Sequence, residues 1–249
     1  MKKILNWKVL MGVALVALSA LLYYLHFGFF HDAHHIFIYL LGDVAFVPIE
    51  VLLVTLIIHQ LLVFREKKAL LKKLNMLIGA FFSNVGTRLL GIFTGFDPDI
   101  ESFRAQLKVD KDWSEGHFRQ VRLSLEKHTF DIDIQREDLQ RLRGFLDDKI
   151  PFLLNLLANP NLLEHETFTE LLWAVFHLAE ELKNRDDLGS LPQSDLEHLA
   201  GDIKRAYSSL TIQWLSYMGH LKRDYPYLFS LALRTNPFDP VASPVVMGV

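Results

Sequence analysis

The sequence predicts a mostly α-helical protein with a two-helix transmembrane hairpin, a juxtamembrane helix and a cytoplasmic helical domain. Two long apolar runs lie near the amino terminus, a basic cluster follows the second run, and apolar residues recur at helical spacing farther along the chain. The predicted parts are the hairpin at 1–64, a basic juxtamembrane or linker helix at 65–96, an acidic helical domain at 97–236 and an extended tail at 237–249.

The two apolar runs have the length of membrane spans. The first run, 9–30, contains 22 residues without Asp, Glu, Lys or Arg, enough to cross a hydrocarbon core of about 30 Å. The second run, 44–64, contains 21 residues, interrupted by Glu50 and His59. We interpret the first run as an uncleaved span rather than a signal peptide, because it continues well past Ala20 without a clean cleavage motif.

Basic residues flank the two spans and are absent from the loop between them. The positive-inside rule therefore predicts a multi-pass protein of the cell's inner (plasma) membrane with both termini in the cytoplasm. The cluster after the second span is also expected to attract anionic lipid headgroups, at about 1 kcal/mol for each cation. This basic cluster comprises Arg65, Lys67, Lys68, Lys72 and Lys73.

Two carboxylates, Asp43 and Glu50, lie at or within the second span. A charge at the bilayer centre costs at least about 2.5 kcal/mol, so such residues indicate a function or a buried partner. Helix geometry places Glu50 roughly 9 Å inside, level with two tyrosines of the first span, whereas Asp43 is favoured as an interfacial helix cap. A structural hydrogen bond and an ion-handling role remain open for Glu50. The predicted intramembrane polar site comprises Asp43, Glu50, Tyr23, Tyr24 and His26.

The loop between the spans is rich in histidine. His31, His34 and His35 are weak candidates for metal ligands, because their spacing constrains the ligands only loosely. The favoured interpretation is a short polar loop, and no cofactor is expected. The chain has no cysteine, which excludes disulfides and thiolate chemistry.

The segment 74–96 contains a single charged side chain, Arg88. A linker or core helix is favoured here over an interfacial helix, and a third span is the weakest alternative because several polar residues interrupt the segment. The composition changes at Asp97 and Pro98, a pair typical of a helix start, so we place the domain boundary at 97.

From residue 97 onward the chain has 25 acidic and 17 basic residues. This excess of negative charge is unsuited to binding nucleic acid.

The acidic domain is predicted to be mostly helical. At 121–134, alternation of apolar and polar residues allows a short β-hairpin to compete with a helix. Shorter helices are predicted at 98–108, 135–147, 151–158 and 226–234. Two apolar stripes predict longer helices, one formed by Phe168, Leu171, Leu172, Val175, Phe176, Ala179 and Leu182, and one by Leu196, Leu199, Ile203, Tyr207, Leu210, Trp214 and Met218.

Two polar constellations in the acidic domain are candidate sites. Glu166, Glu170, His177 and Glu181, with Asp195 and His198, resemble part of a di-metal carboxylate site, but no Glu-x-x-His motif occurs and a solvated face is favoured. The chain also lacks a phosphate-binding glycine loop and the common hydrolase motifs. An aromatic and basic set near the carboxyl terminus is a candidate interaction surface, although a final helix docked on the core is favoured there. This set comprises Tyr217, His220, Arg223, Tyr225, Tyr227 and Arg234.

Three functional classes are compatible with these features. The leading hypothesis is an inner-membrane protein whose helical cytoplasmic domain mediates homo-oligomeric assembly or binds a protein partner, in a scaffolding or signalling role. The second is an oligomeric cation or proton conductance that uses Glu50 and Asp43. The third is a membrane-bound metalloenzyme. The first two classes involve no catalysis, and we expect a protein that is not an enzyme.

Overall fold

A computed structural model describes residues 2–162 and 165–246, with side chains from residue 7 onward. The side chains of Lys2 and Lys3, on which the predicted orientation partly rests, lie outside this described part. Helices make up 77% of the described residues and no strand occurs among them, so the mostly helical prediction is confirmed. The chain divides into two compact units, Met1–Lys67 and Lys68–Val249.

The first unit contains α1, Lys2–Phe30, and the first part of α2, Ala33–Phe81. His31 reverses the chain with a positive φ of 51°, and Asp32 caps α2 by accepting the backbone N–H of His35 at 3.1 Å. Asp43 therefore lies inside a helix that has already begun, and the cap expected at Asp43 is formed by Asp32. By length and composition, the helical runs Trp7–Phe30 and Ala33–Phe93 are apolar enough to cross a membrane.

The second unit is a bundle of helices around α9, which runs for 32 residues from Gln193 to Asp224. Both predicted apolar stripes are buried in its core, the first on α8 and the second on α9. After α2 come a π-helical segment, Phe82–Gly86, and α3, Thr87–Phe93. The remaining helices are α4, Ile100–Leu107; α5, Glu115–Leu125; α6, Arg136–Asp147; α7, Ile150–Leu157; α8, Glu166–Lys183; and α10, Pro226–Arg234.

Residues 74–96 form part of this core. The compact unit begins at Lys68, whereas the sequence places the domain boundary at 97. The π-helical segment allows the consecutive residues Phe81 and Phe82 both to be buried. Gly86 is needed one turn later, because a Cβ there would lie 2.6 Å from Cδ1 of Phe82 and 2.9 Å from Cε1 of Phe81.

The helix expected to start at Asp97 begins at Ile100 instead. Asp97 is buried, and its Oδ1 accepts the backbone N–H of Asp99 at 3.0 Å. Burial is the main cause that raises the pKa of the Asp97 carboxyl above its usual range. The sequence at 97 is therefore a buried turn within the compact unit.

The β-hairpin considered for 121–134 is absent from the described structure. Val121 and Leu125 are buried one helical turn apart on α5, while Leu123 between them faces outward. Residues 128–135 form neither helix nor strand, and Asp133 donates its backbone N–H to the carbonyl of Phe96 at 2.8 Å. The alternating pattern therefore spans two different structures, the helix α5 and the non-helical segment that follows it.

The start of the predicted tail docks on the second unit. Phe238 is fully buried, with its ring 5.0 Å from that of Trp214. Asn236, also buried, donates to the carbonyl of Leu107 at 3.0 Å and accepts the backbone N–H of Phe238 at 2.9 Å. The extended arm expected from 237 is therefore anchored by Phe238, because a large apolar ring and a paired amide are buried together.

Candidate functional site

A groove of about 500 Å³ lies between α5 and α9 in the second unit. Its apolar lining comes from Trp113, Phe118 and Leu215. Four cations and a single carboxylate also line it, together with Ser216, Gly219 and His220. The cations are Arg119, Arg122, Lys222 and Arg223, and the carboxylate is Glu115.

The segment that precedes α5 is hydrogen-bonded to α9, and this contact shapes the groove. Ser114 caps α5 by accepting the backbone N–H of His117 at 3.1 Å. The ring of Trp113 packs edge-on against His117 and Phe118, at centroid distances of 4.3 and 5.0 Å. From α9, the Lys222 ammonium donates to the carbonyl oxygen of Trp113.

The positive charges of the groove are only partly compensated. Arg122 pairs with Glu126 at 2.9 Å and Arg223 pairs with Asp224 at 3.1 Å. Within the described part of the chain, Arg119 and Lys222 have no carboxylate within 4.0 Å. The groove is therefore electropositive, in a domain that is acidic as a whole.

His220 connects the groove to the end of α2. Its Nδ1 lies 2.8 Å from Oδ2 of Asp224 and 3.4 Å from Nδ2 of Asn75. Burial lowers the pKa of His220 below its usual value, although the Asp224 carboxylate partly offsets this effect. His220 therefore favours its neutral form near neutral pH, and its position ties α9 to the chain entering the unit.

The predicted aromatic and basic surface is divided in the structure. His220 and Arg223 line the groove, but Tyr217 packs inward and stacks on Phe82 with ring centroids 4.8 Å apart. Burial accordingly raises the pKa of Tyr217. The two remaining tyrosines and Arg234 lie outside the groove, and Tyr227 is 72% exposed.

A second cleft, of about 550 Å³, lies between α1 and α2 within the first unit. It brings together three residues of the predicted intramembrane site, namely Tyr23, His26 and Asp43. His35 joins them, with its ring nearly parallel to that of His26 at a centroid distance of 6.4 Å. The other predicted members, Tyr24 and Glu50, do not line this cleft, and neither do His31 and His34.

The five residues of the predicted basic cluster all lie on α2 and are exposed. Within the described ranges none of them has a carboxylate within 4.0 Å. Their charges are therefore available to an external anion.

The polar residues of α8 and α9 form an ion-pair network around Arg185. Arg185 bonds to Asp195 through Nε and Nη2 and to Glu181 through Nη1, all at 2.7 Å. These bonds hold the pKa of both carboxyls below the usual range. Glu166 and Glu170 form no ion pair in this network within the described chain.

The same network contains a buried carboxylate, Asp202. Its Oδ2 lies 3.5 Å from Nε2 of His177 and 3.4 Å from Nε2 of His198, and Oδ1 lies 3.3 Å from Nη1 of Arg205. Among the residues that the structure describes, no three His, Asp or Glu side chains are grouped as ligands for a metal ion. Asp202 therefore contacts polar side chains from both α8 and α9.

Comparison with known proteins places this architecture in a family. Residues 70–234 match a sequence family described as Uncharacterized protein MJ1433, C-terminal helical domain, and residues 2–62 match one described as MJ1433, N-terminal helical domain. The chain belongs to the MJ1433 family. A relative from Methanocaldococcus jannaschii, Uncharacterized protein MJ1433, is 49% identical over 234 residues, which is 94% of each chain. No solved structure matches the chain.

The two MJ1433 family segments meet between residues 62 and 70, and the compact units divide at Lys67 and Lys68 within that interval. Residues 70–96 therefore belong to the segment that the family describes as its C-terminal helical domain. The groove and the ion-pair network lie in that domain, and the cleft lies in the N-terminal helical domain.

Sequence reasoning missed the α5 side of the groove. Trp113, Phe118 and Arg119 are roughly 100 residues from their α9 partners along the chain, and no local pattern connects the two elements. One signal was present, since Trp113 precedes a Ser-Glu helix start and so stands beside a helix terminus. Asp202 was missed because it lies next to the apolar stripe of α9, and a carboxylate at such a position is expected to face solvent.

Proposed function

We propose that this member of the MJ1433 family is a membrane-anchored binding protein. In this proposal α1 and the apolar part of α2 span the inner membrane as a hairpin with both termini in the cytoplasm. The C-terminal helical domain then binds an anionic partner in the groove between α5 and α9. The single observation that carries the binding role is a groove lined by four cations and one carboxylate in a domain of net negative charge.

The anchoring role is supported by the apolar surface of the first two helices. Large apolar side chains such as Leu22, Val47 and Leu53 are exposed around these helices. Exposure to water costs about 25 cal/mol for each Å² of apolar surface, so this surface requires lipid or another apolar covering. The absence of Lys and Arg from residues 31–43 supports the proposed orientation.

The orientation can be tested by cysteine labelling, because the natural chain contains no cysteine. Ala33→Cys places a thiol at the exposed start of α2, beside the turn between the spans, and Ser243→Cys places one near the carboxyl terminus. A membrane-impermeant maleimide should label Ala33→Cys in intact cells and label Ser243→Cys only after permeabilisation. Labelling of both thiols in intact cells would contradict a cytoplasmic carboxyl terminus, and labelling of neither would contradict the exposed turn.

The binding role can be tested with a fluorescent polyglutamate peptide and the full-length protein in nanodiscs of phosphatidylcholine. We expect binding that weakens with salt and is lost in Arg119→Glu, because the peptide would meet a reversed charge in the groove. Lys127→Glu changes charge next to α5 but outside the groove lining, and should leave binding nearly unchanged. Equal losses in the two variants would assign the attraction to overall charge and contradict a groove-specific role.

A second candidate function is an ion or proton path through several copies of the hairpin. The observation that favours it is the cleft that joins His26, His35 and Asp43. Ionisable residues within spans commonly mark such paths. Two helices cannot enclose a pore, so this function requires an oligomer.

A further inference from the structure

We propose that the anion bound in the α5–α9 groove is a phosphate group, carried either by a small soluble compound or by a lipid headgroup. This inference rests on the proposed function, because it names the ligand of the same groove. Three properties of the groove support it, namely its volume, its unused hydrogen-bond donors and its mixed lining.

The volume of the groove suits a small ligand. At about 500 Å³ it falls within the range of roughly 300–1,000 Å³ typical of small-molecule sites. A phosphorylated compound or a headgroup fits this space. A protein partner would more commonly require a broad surface of about 800 Å² on each side.

The cations retain hydrogen-bond donors that face no internal acceptor. The Arg119 side chain makes no hydrogen bond within the described residues, and among those residues the Lys222 ammonium has one acceptor, the carbonyl of Trp113. Arg122 engages its Nε with Glu126, which leaves its terminal amino groups available. A phosphate monoester presents three terminal acceptor oxygens and suits several donors better than a carboxylate or a phosphodiester, each of which presents two.

The apolar side chains of the groove offer a surface for the uncharged part of such a ligand. Trp113 and Phe118 meet edge-to-face, and Gly219 of α9 lies opposite Phe118. A Cβ added at Gly219 would lie 3.7 Å from the Phe118 ring, so any larger side chain there would occupy the groove. The cationic and apolar lining residues together suit a compound that carries a phosphate and also a ring or alkyl group.

The position of His220 is compatible with a lipid as the source of the phosphate group. His220 joins the groove to Asn75, seven residues after the second unit begins at Lys68. Under the proposed anchoring, Lys68 follows the end of the second span at Phe64 by four residues. A soluble phosphate compound satisfies the same donors, so the experiment includes an arm for each source.

The test uses full-length protein in phosphatidylcholine nanodiscs, with tryptophan emission as the readout. Pyrophosphate and glycerol 1-phosphate are titrated as soluble probes, and nanodiscs that also contain phosphatidic acid, whose headgroup is a phosphate monoester, supply the lipid arm. Because Trp113 lines the groove, we expect either arm to change the emission, and Trp113→Phe should remove that change. A response in the soluble arm assigns a soluble ligand, whereas a response in the lipid arm alone assigns a headgroup.

Groove variants decide whether the response belongs to this site. Arg119→Gln should weaken probe binding by about tenfold or more, since it removes charge-assisted hydrogen bonds. Gly219→Leu should block binding without changing the charge, and Gly219→Ala, whose Cβ makes an ordinary contact, should fold normally and weaken binding less. Lys127→Gln, outside the groove lining, should bind within about twofold of the natural chain because an exposed charge contributes little.

The outcomes separate this inference from the function on which it rests. Binding of polyglutamate in the groove without a response to any phosphate probe would overturn the phosphate assignment and leave the anion-binding function standing. Failure of both ligands would overturn both proposals. Phosphate binding of equal strength in Arg119→Gln, Gly219→Leu and the natural chain would place the probe elsewhere and overturn the inference.

Discussion

Arg185 and Asp195 form a two-point ion pair in which Nε and Nη2 of the guanidinium each lie 2.7 Å from a different carboxylate oxygen. Arg185 follows the end of α8 and Asp195 lies in the first turn of α9. Paired, charge-assisted hydrogen bonds of this kind fix the relative direction of the groups they join. The pair therefore holds the connection between the two long helices of the bundle.

We predict that Arg185→Met destabilises the C-terminal domain by about 1–3 kcal/mol, because Asp195 and Glu181 both lose a charged partner. Urea unfolding of the full-length protein in detergent, followed by near-ultraviolet circular dichroism, measures this change. Lys183→Met is the matched control, since Lys183 is exposed at the end of α8 and forms no ion pair within the described chain. A loss of equal size in both variants would contradict the role of the ion pair.

The same network predicts a pH dependence of stability. Arg185 holds the pKa of Asp195 and of Glu181 below their usual values, so the folded state binds fewer protons than the unfolded state as these groups titrate. The stabilisation is present above the unfolded pKa of about 4 and is lost as the pH falls through the folded values. The free energy of unfolding should therefore fall less steeply below about pH 4 in Arg185→Met than in the natural chain. Parallel curves would contradict this assignment.

Substitution by alanine should have opposite effects on stability at Gly86 and at Gly91. Gly86→Ala places a Cβ within 3.0 Å of two buried phenyl rings, and we expect a destabilisation of about 1–3 kcal/mol. Gly91→Ala meets nothing within 4 Å in α3 and should stabilise the helix by roughly 0.5–1 kcal/mol. The urea midpoints of the two full-length variants measure both effects. A Gly86→Ala variant that is more stable than the natural chain would contradict the steric clash with Phe81 and Phe82.

Phe238→Ala should destabilise the C-terminal domain by about 3–5 kcal/mol, because it empties a fully enclosed site beside Trp214. The emission of Trp214 should also shift to longer wavelength as water reaches the indole. Val241→Ala, a substitution at an exposed position three residues later, should change stability by less than about 0.5 kcal/mol. Similar small effects for both variants would mean that the tail does not stabilise the bundle.

The second candidate function predicts different effects for the two carboxylates of α2. If assembled hairpins conduct cations, Asp43→Asn should remove most of the flux into liposomes, because Asp43 lies in the cleft with Tyr23 and His26. Glu50→Gln neutralises a carboxylate outside that cleft and serves as the matched control. Flux that depends on Glu50 and not on Asp43 would move the path away from the cleft, and flux unchanged in both variants would exclude this use of the hairpin.

The helical periodicity of the acidic domain was sufficient to predict most of its helices. The stripes of α8 and α9 are buried as a repeat of three and four residues requires, and α10 occupies 226–234. Register within α2 and α3 could not be predicted, because the π-helical segment changes which residues face the core. The start of α4 was placed too early, since Asp97 and Pro98 form a local turn with the same residue types as a helix start.

The sites were predictable only where their residues are neighbours in sequence. His220 and Arg223 were singled out, but their α5 partners depend on packing between distant segments. Tyr23 and His26 were likewise identified on one helix, whereas the choice of Asp43 over Glu50 as the carboxylate of the cleft depends on where α2 begins. Charge signs can be counted along a chain, but the convergence of side chains requires the fold.

The π-helical segment, 82–86, amounts to one residue more than a regular helix needs between Phe81 and Thr87. Such a bulge accommodates one inserted residue locally, without shifting the helices on either side. Ser83 and Asn84 within it are exposed, so loss of one residue there would disturb the core least. A relative shorter by one residue here would run as a regular helix from α2 into α3 and keep the same faces of both helices toward the core.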